Sequence, residues 1–315
     1  MQKPQVDILL ATYQGAHYLD GQIQSLLAQT YPHIRILIRD DGSQDATWHL
    51  LQAWAAQEPD RIVLLPDRAN LGIKGNFSRL MEHAQAPYIC FSDQDDMWFP
   101  DKVKKSLERM LKLEDILGEE TPILIHTDLK VVDEKLDELS PSFWRYTCLS
   151  PQASSLPRLL TQNMVTGCTM CINRALLERA KPIPQAAVMH DWWVALVASC
   201  FGQIDFLEEA SMLYRQHLWN DTGAKSYSLT SLWNKKSAAP KRATLQSFAQ
   251  AESLMERYRN TLTERQKTII ESYYQLPSLP YWRQKIQLLR HGFTKHGFWR
   301  NMKNLLDQLK EKDSP

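Results

Sequence analysis

No apolar run in this chain approaches the roughly 18 residues of a membrane-spanning helix. The first residues, MQKPQVDILLATYQG, also lack the long apolar segment of a signal peptide. The expectation is a chain neither exported nor integral to a membrane. Neither sign of charge is in excess: 37 Lys and Arg against 36 Asp and Glu leave a formal net charge of +1, which names no global partner. Cysteine is scarce. The five present (Cys90, Cys148, Cys168, Cys171, Cys200) are odd in number and widely spread, against a disulfide framework and in keeping with a reducing cytosol. Cys168 and Cys171 have C-x-x-C spacing without a second pair, so buried packing is favoured over a redox or zinc role. Glycine is missing where a phosphate-cradling loop would need it: ATYQGAHY holds one Gly and no Lys or Arg. What is present is an ordinary globular composition, 43% apolar and 23% charged over 315 residues, enough for one large domain or one domain with an appendage.

The first hundred residues alternate strand and helix. Residues 6–11 form an apolar run ending in Thr12-Tyr13-Gln14-Gly15, and 17–30 carry Leu19, Ile23, Leu26 and Leu27 at helical spacing. A second strand, 34–38, runs into Arg39-Asp40-Asp41-Gly42-Ser43. Asp45 is placed to cap a helix to about residue 57, 61–65 is a third strand, and 75–85 is helical. This alternation predicts a mainly parallel sheet covered on both faces, with ligands outside the carboxyl ends of its strands. The polar clusters fall there: Thr12-Tyr13, Asp40-Asp41, Asn70-Leu71-Gly72 and Asp93-Gln94-Asp95-Asp96. Each also has a plain reading, Asp41 as an Asx-turn and Arg68 and Lys74 as solvated surface charges.

The stretch YICFSDQDDMWFPDK, residues 88–102, organises the rest. Tyr88, Ile89, Cys90 and Phe91 read as a buried strand that stops at Ser92, after which Asp93, Asp95 and Asp96 crowd together. Like charges this close repel, and a divalent cation offsets the repulsion. Carboxylate oxygens suit Mg2+ or Mn2+, which bridge the phosphates of a nucleotide while keeping several waters.

VDILLATYQG, SLLAQTYPHIRILIRDDGSQDAT, NLGIKGNF and YICFSDQDDMWFPDK, in this order and spacing, resemble glycosyltransferase family 2 enzymes with the GT-A fold, over about the first 105 residues. The resemblance implies an inverting sugar transfer from a nucleoside-diphosphate sugar. By it, Ala11, Thr12 and Tyr13 line the base and ribose pocket, joined by Asn70, Gly72 and Asp93, while Asp41 accepts a hydrogen bond from the base imide N–H. Asp93 and Asp95 become the metal acids, with Asp95 the direct ligand of Mn2+ or Mg2+. Asp96 and Trp98 extend the motif on the substrate side, as in the rhamnosyltransferase-like branch.

An inverting transfer needs a base for the acceptor hydroxyl on the face opposite the leaving group. Residues 122–128 and 130–133 read as strands, 163–172 as another, 174–180 as a short helix and 182–188 as a loop. His190-Asp191-Trp192-Trp193 then opens the apolar helix 194–201. An acid in a first turn is held ionised by the backbone dipole, and its plain reading is an N-cap. The resemblance makes Asp191 the catalytic base and His190 a positioning residue. Trp192 with Trp193 reads as core or as a sugar-stacking platform. Tyr214-Arg215-Gln216-His217 reads as a strand running into a loop with Asn220 and Gly223. By the resemblance, His217 reaches the metal or diphosphate and Arg215 the substrate.

Beyond about residue 226 the composition shifts. Lys235, Lys236, Lys241 and Arg242 surround Ala238-Ala239-Pro240, read as a mobile connection, and 243–274 reads as one long helix. From 272 to 306 there is no acidic residue, while Arg283, Lys285, Arg290, Lys295, Arg300 and Lys303 gather beside Trp282, Ile286, Leu289, Phe293, Phe298, Met302 and Leu305. That pattern is interfacial, with a packed appendage or a homodimer contact as the competing use. No nucleic-acid-binding motif accompanies the charge.

Two regions follow: 1–225, a Rossmann-like GT-A catalytic domain, and 226–315, a helical basic appendage. The expected activity is metal-dependent sugar transfer in the cytoplasm, peripheral on the inner face of the cell membrane, to a growing cell-surface or lipid-linked glycan. The donor implied is dTDP-L-rhamnose. A UDP-hexose or UDP-N-acetylhexosamine meets the same requirements, and an NDP-sugar nucleotidyltransferase is the alternative enzyme class.

Overall fold

A computed structural model describes residues 3–217 and 238–294. The expected alternation opens the chain: β1 (Val6–Thr12), α1 (Ala16–Leu27), β2 (Ile34–Asp40), α2 (Thr47–Gln57), β3 (Ile62–Leu64), α3 (Gly72–His83) and β4 (Tyr88–Ser92). Next come β5 (Met97–Trp98), α4 (Lys102–Leu117), β6 (Ile123–Val132), β7 (Glu138–Ser140), α5 (Phe143–Thr147) and α6 (Leu156–Thr161). A 3-10 turn, Gly167–Thr169, leads to β8 (Cys171–Asn173), α7 (Arg174–Ala180), α8 (His190–Phe201) and β9 (Gln203–Arg215). The described C-terminal part is helical: α9 (Ala238–Tyr258), α10 (Glu264–Tyr274) and α11 (Tyr281–His291).

The nine strands of the described residues form one sheet in the order β3-β2-β1-β4-β8-β6-β9-β5, with β7 added to β6. β3, β2, β1 and β4 are parallel, as are β6 and β9. β8 runs antiparallel to both β4 and β6, so the two parallel groups share one direction. The carboxyl ends of β1, β2, β4, β6 and β9 therefore open on one edge. Central β1 alternates between two cores: Leu9 faces a cluster with Phe77, Phe91 and Trp193, while Ile8 and Leu10 face one with Ile23, Ile36 and Trp98. This is a GT-A architecture.

Several elements differ from expectation. Residues 163–172 are not a strand: only Cys171–Asn173 pair, because the 3-10 turn at Gly167 breaks the apolar run. The two strands expected at 122–133 are one, β6, with register shifts against β9 after Thr127. Helix α3 starts at Gly72, before the expected residue 75. Asp45 does not occupy the N-cap of α2; it accepts from Thr47 N at 3.1 Å and Ala16 N at 3.2 Å, tying α2 to α1. The long helix 243–274 is two, because Thr263 and Gln266 form a capping box that starts α10. Ala238-Ala239-Pro240 lies in α9 and is not a connection. Arg68 and Lys74 are not merely solvated: Arg68 pairs with Asp40 at 3.0 Å, and Lys74 Nζ donates to the carbonyls of Gln185 and Ala187.

Helices α9 and α10 do not stand apart. Ala251, Leu254, Met255, Ile270 and Tyr273 share a continuous apolar cluster with Leu159 and Leu160 of α6 and Val194, Leu196 and Val197 of α8. All five cysteines are free. Among the described residues no helix is long and apolar enough to cross a membrane. Asn220, Gly223, Lys235, Lys236 and everything from Lys295 on, including Phe298, Arg300, Met302, Lys303 and Leu305, lie outside the described residues.

Candidate active site

The strand ends bring most of the expected residues to one cleft. At the end of β1, buried Thr12 donates to Asp40 Oδ1 at 3.2 Å, and Ala11 and Tyr13 sit at the rim, Tyr13 half-exposed. Asp41 is nearly buried. Its Oδ1 accepts from Arg39 Nη1 and Leu71 N, its Oδ2 from Gly72 N, each at 2.8 Å. The Asn70 side chain closes the loop on Asp41 O at 3.0 Å, and Gly72 takes a φ of +69°, where glycine is favoured. A carboxylate has about four acceptor positions, so these three contacts leave Asp41 one more.

Gln94, between the acids, turns back on β1. Its amide accepts from Tyr13 N and donates to Tyr13 O, both at 2.8 Å. A Cβ at Gly15 would lie 2.1 Å from Gln94 Oε1, so Gly15 is what lets this clasp close.

The acids separate into two groups. Donor atoms of Asp93, Asp96 and Cys168 lie within 4.8 Å of one another. Asp96 is buried; its Oδ1 meets Arg215 N at 3.4 Å, while Oδ2 takes no N–H or O–H bond. Burial, then the charges of Asp95 and Asp93, hold the Asp96 carboxyl well above the usual carboxylate range, and the Cys168 thiol contact only partly offsets this. Asp95 faces the other way, its Oδ2 2.7 Å from Nε2 of His217. His217 stacks on Tyr18, with ring centroids 4.7 Å apart, and Tyr18 Oη donates to Glu134 at 3.0 Å. Arg215, at the end of β9, donates to the carbonyls of Asp95 and Glu134 and lies over the Tyr18 ring. The Asp96 oxygen left without an N–H or O–H partner, beside Asp93 and Cys168, is a place where a divalent cation could be held. Asp93 and Asp96 could hold it, with the Asp95–His217 pair as the neighbouring donors.

Asp191 approaches from α8. Met189 is the N-cap, so the plain capping reading of Asp191 does not apply. Its carboxylate accepts from Trp192 N at 2.6 Å, and Gly167 N and the Asn163 side chain nearby also favour its ionised form, yet burial pushes it up to about 6. Next to it His190 is buried, stacked on Phe77 at 3.9 Å, with neither ring nitrogen bonded to protein; burial pushes it down to about 3, so it is neutral. Gly167 makes room for this pair: a Cβ there would lie 2.8 Å from His190 Nε2. The 3-10 turn thus touches both halves of the site, Gly167 at Asp191 and Cys168 at Asp96. Lys102, fully buried, fixes the turn by donating to Cys168 O at 2.7 Å.

Not every expected residue reaches the cleft. The Trp98 ring is 4% exposed and lies in the core, 4.2 Å from Lys102 Nζ. Trp193 is core, bonded to Ala180 O, and half-buried Trp192 donates to Leu159 O at 2.5 Å. Sequence reasoning passed over Arg39, Lys102, Gly167 and Tyr18. Only Gly167, interrupting an apolar run, carried a local signal.

Residues 7–175, just over half the chain, match the family described as Glycosyl transferase family 2. The chain belongs to this family. Among curated relatives of the family 2 chain, a dTDP-rhamnosyl transferase of Shigella flexneri, RfbG, is 28% identical over 227 residues, 68% of this chain and 74% of the relative. A putative teichuronic acid biosynthesis glycosyltransferase of Bacillus subtilis, TuaG, is 33% identical over 111 residues, 35% and 43% of the two chains. Among solved structures, S. aureus TarS 1–349 in complex with UDP-GlcNAc has a TM-score of 0.52 at 13% identity, covering 90% of this chain and 83% of TarS. A mannosyltransferase from Pyrobaculum calidifontis, solved with GDP-Man and Mn2+, has a TM-score of 0.52 at 15% identity, covering 97% and 88%. These neighbours share the GT-A fold. The protein is a glycosyltransferase.

Proposed function

We propose that this family 2 enzyme transfers a sugar with inversion from a nucleoside-diphosphate sugar, first dTDP-L-rhamnose, to a growing cell-surface or lipid-linked glycan. The relative named as a dTDP-rhamnosyl transferase and the His-Asp pair at 190–191 support that donor over a UDP-hexose or UDP-N-acetylhexosamine. The observation that carries the mechanism is the Gly167–Cys168 link, which sets a carboxylate with a raised pKa beside the acid cluster. Asp191 takes the acceptor hydroxyl proton as the new bond to the anomeric carbon forms. The bond from that carbon to the diphosphate breaks on the opposite face, and its electron pair leaves with the nucleoside diphosphate. Mn2+ or Mg2+, when bound, supplies positive charge to that leaving group. Arg215 and Tyr18 keep Asp95 and His217 in register for it. Thr12, Tyr13 and Asp41 form the base side of the pocket, with Asn70 and Gly72 shaping its loop.

His190, neutral and wedged between Phe77 and Gly167, orients Asp191. The setting is the cytoplasm, at the inner face of the cell membrane. A panel of dTDP- and UDP-sugars, each incubated with acceptor and Mn2+ or Mg2+ and scored for nucleotide release, tests the reading. Release from dTDP-L-rhamnose above all others is the expected result. Preferential release from a UDP-sugar reassigns the donor, and release from none overturns the proposal.

A further inference from the structure

Helix α11 is docked with one face and leaves the other bare. Phe293, just past it, is 5% exposed and packs on Tyr273 with ring centroids 5.1 Å apart, and Thr161 Oγ1 donates to Thr294 O at 3.2 Å. Gly292, at a φ of +69°, makes the αL cap that turns the chain inward, and Leu288 rests against the core. The helix orientation is therefore fixed at its end. On the outward side Trp282, Ile286 and Leu289 are 58%, 52% and 75% exposed. Their i, i+4, i+7 spacing puts them in one stripe. At 100° per residue Arg283 and Arg290 flank that stripe on one side and Lys285 on the other. Gln284, Leu288 and His291 lie opposite and are partly buried.

We propose that this face of α11 seats the enzyme on an anionic lipid surface. Three large apolar groups in a row, ringed by cations and held outward by a packed inner face, match the build of an interfacial helix: the stripe enters the acyl boundary and the cations meet lipid phosphates. Neither Arg283 nor Arg290 has a carboxylate partner among the described residues. A second copy is the poorer occupant. A two-fold contact would set the flanking cations of one α11 beside those of the other, and a standard interface needs about 20–30 residues a side. The inference rests on the proposed function only in taking the acceptor to be lipid-linked.

The test uses the full chain, phosphatidylcholine vesicles with and without phosphatidylglycerol, and sedimentation at low and high salt. Expected is binding to the anionic vesicles that falls steeply with salt. Ile286→Ser with Leu289→Ser should weaken it at least tenfold, and Arg283→Glu with Arg290→Glu should weaken it on anionic vesicles, both with unchanged thermal unfolding because these positions are exposed. Nucleotide release with a soluble acceptor analogue is measured alongside and stays as in the parent. An intact protein that stays in the supernatant at low salt, or an Ile286→Ser/Leu289→Ser variant that binds as well as the parent, overturns the inference. So does concentration-dependent dimerisation that this variant abolishes, which assigns the face to a second copy. Vesicle binding without turnover of any donor leaves the surface standing and sinks the proposed reaction.

Discussion

Nε2 of His217 lies 2.7 Å from Oδ2 of Asp95, joining the second residue after β9 to the loop after β4. The imidazole is held in this orientation by Tyr18 beneath it, itself tied to Glu134. Removing the stack frees the ring. Tyr18→Ala is expected to weaken Mn2+ binding about 10- to 100-fold, the range for loss of an outer support of a metal ligand. Tyr18→Phe, which keeps the stack and loses only the hydroxyl, should cost far less. Calorimetric Mn2+ titration without donor reads this directly, and equal affinities for the two variants would remove Tyr18 from the site.

Asp191 sets activity against stability. Its folded value of about 6 lies above the ordinary 3.8, so the folded state holds its proton more tightly than the unfolded chain. Stability therefore falls as pH rises from about 4 to about 6, and the ionised group costs up to about 3 kcal/mol above that. Asp191→Asn should raise the unfolding temperature at pH 7.5, with the gain gone near pH 4. The same change should lower turnover by about 10²- to 10⁴-fold. In the parent, kcat/KM should rise with pH through about 6, and a flat profile from pH 5 to 8 would move the base elsewhere.

Gly167 has no spare room on its His190 side. The Cβ of Gly167→Ala would sit 2.8 Å from His190 Nε2 and 3.5 Å from Asp191 Cβ, and Phe77 blocks the ring from behind. Overpacking of this kind costs about 1–3 kcal/mol. Denaturant unfolding and transfer assays should both report the change, with turnover falling by more than the folded fraction does. A variant as active as the parent would show that the turn is not what aligns Asp191.

Asp41 and Arg39 form a pair sealed from water, their side chains 4% and 0% exposed. Asp41→Asn leaves the guanidinium with weaker support and should destabilise the fold by about 3–5 kcal/mol, as for broken buried pairs. Its effect on donor affinity must then be measured well below the melting temperature. Urea unfolding gives the first number; a loss under about 1 kcal/mol would mean that Asp67 and the Ala69 carbonyl suffice to hold Arg39.

The parallel half of the fold was legible because its signals are local: apolar runs of strand length, helical spacing between them, and polar clusters at the strand ends. Residues 163–172 misled because NMVTGCTMCI is as apolar and β-branched as a strand, and the turn at Gly167 answers to His190 and Lys102, which are distant in sequence. The capping box at Thr263 and Gln266 was present in the chain, but helical periodicity runs across it and hid the break. Arg39 and Lys102 are ordinary surface residue types that the fold buries completely. Burial of a cation is a tertiary property, and no window around either residue announces it.

Gln94 and Tyr13 are clasped through both groups of the side-chain amide. Gln94 lies between Asp93 and Asp95, so if those acids take a cation and the end of β1 a nucleotide, displacement at one would be felt at the other. Occupancy of the two would then be thermodynamically linked. By reciprocity, whatever factor Mn2+ contributes to nucleotide affinity, the nucleotide must return to Mn2+.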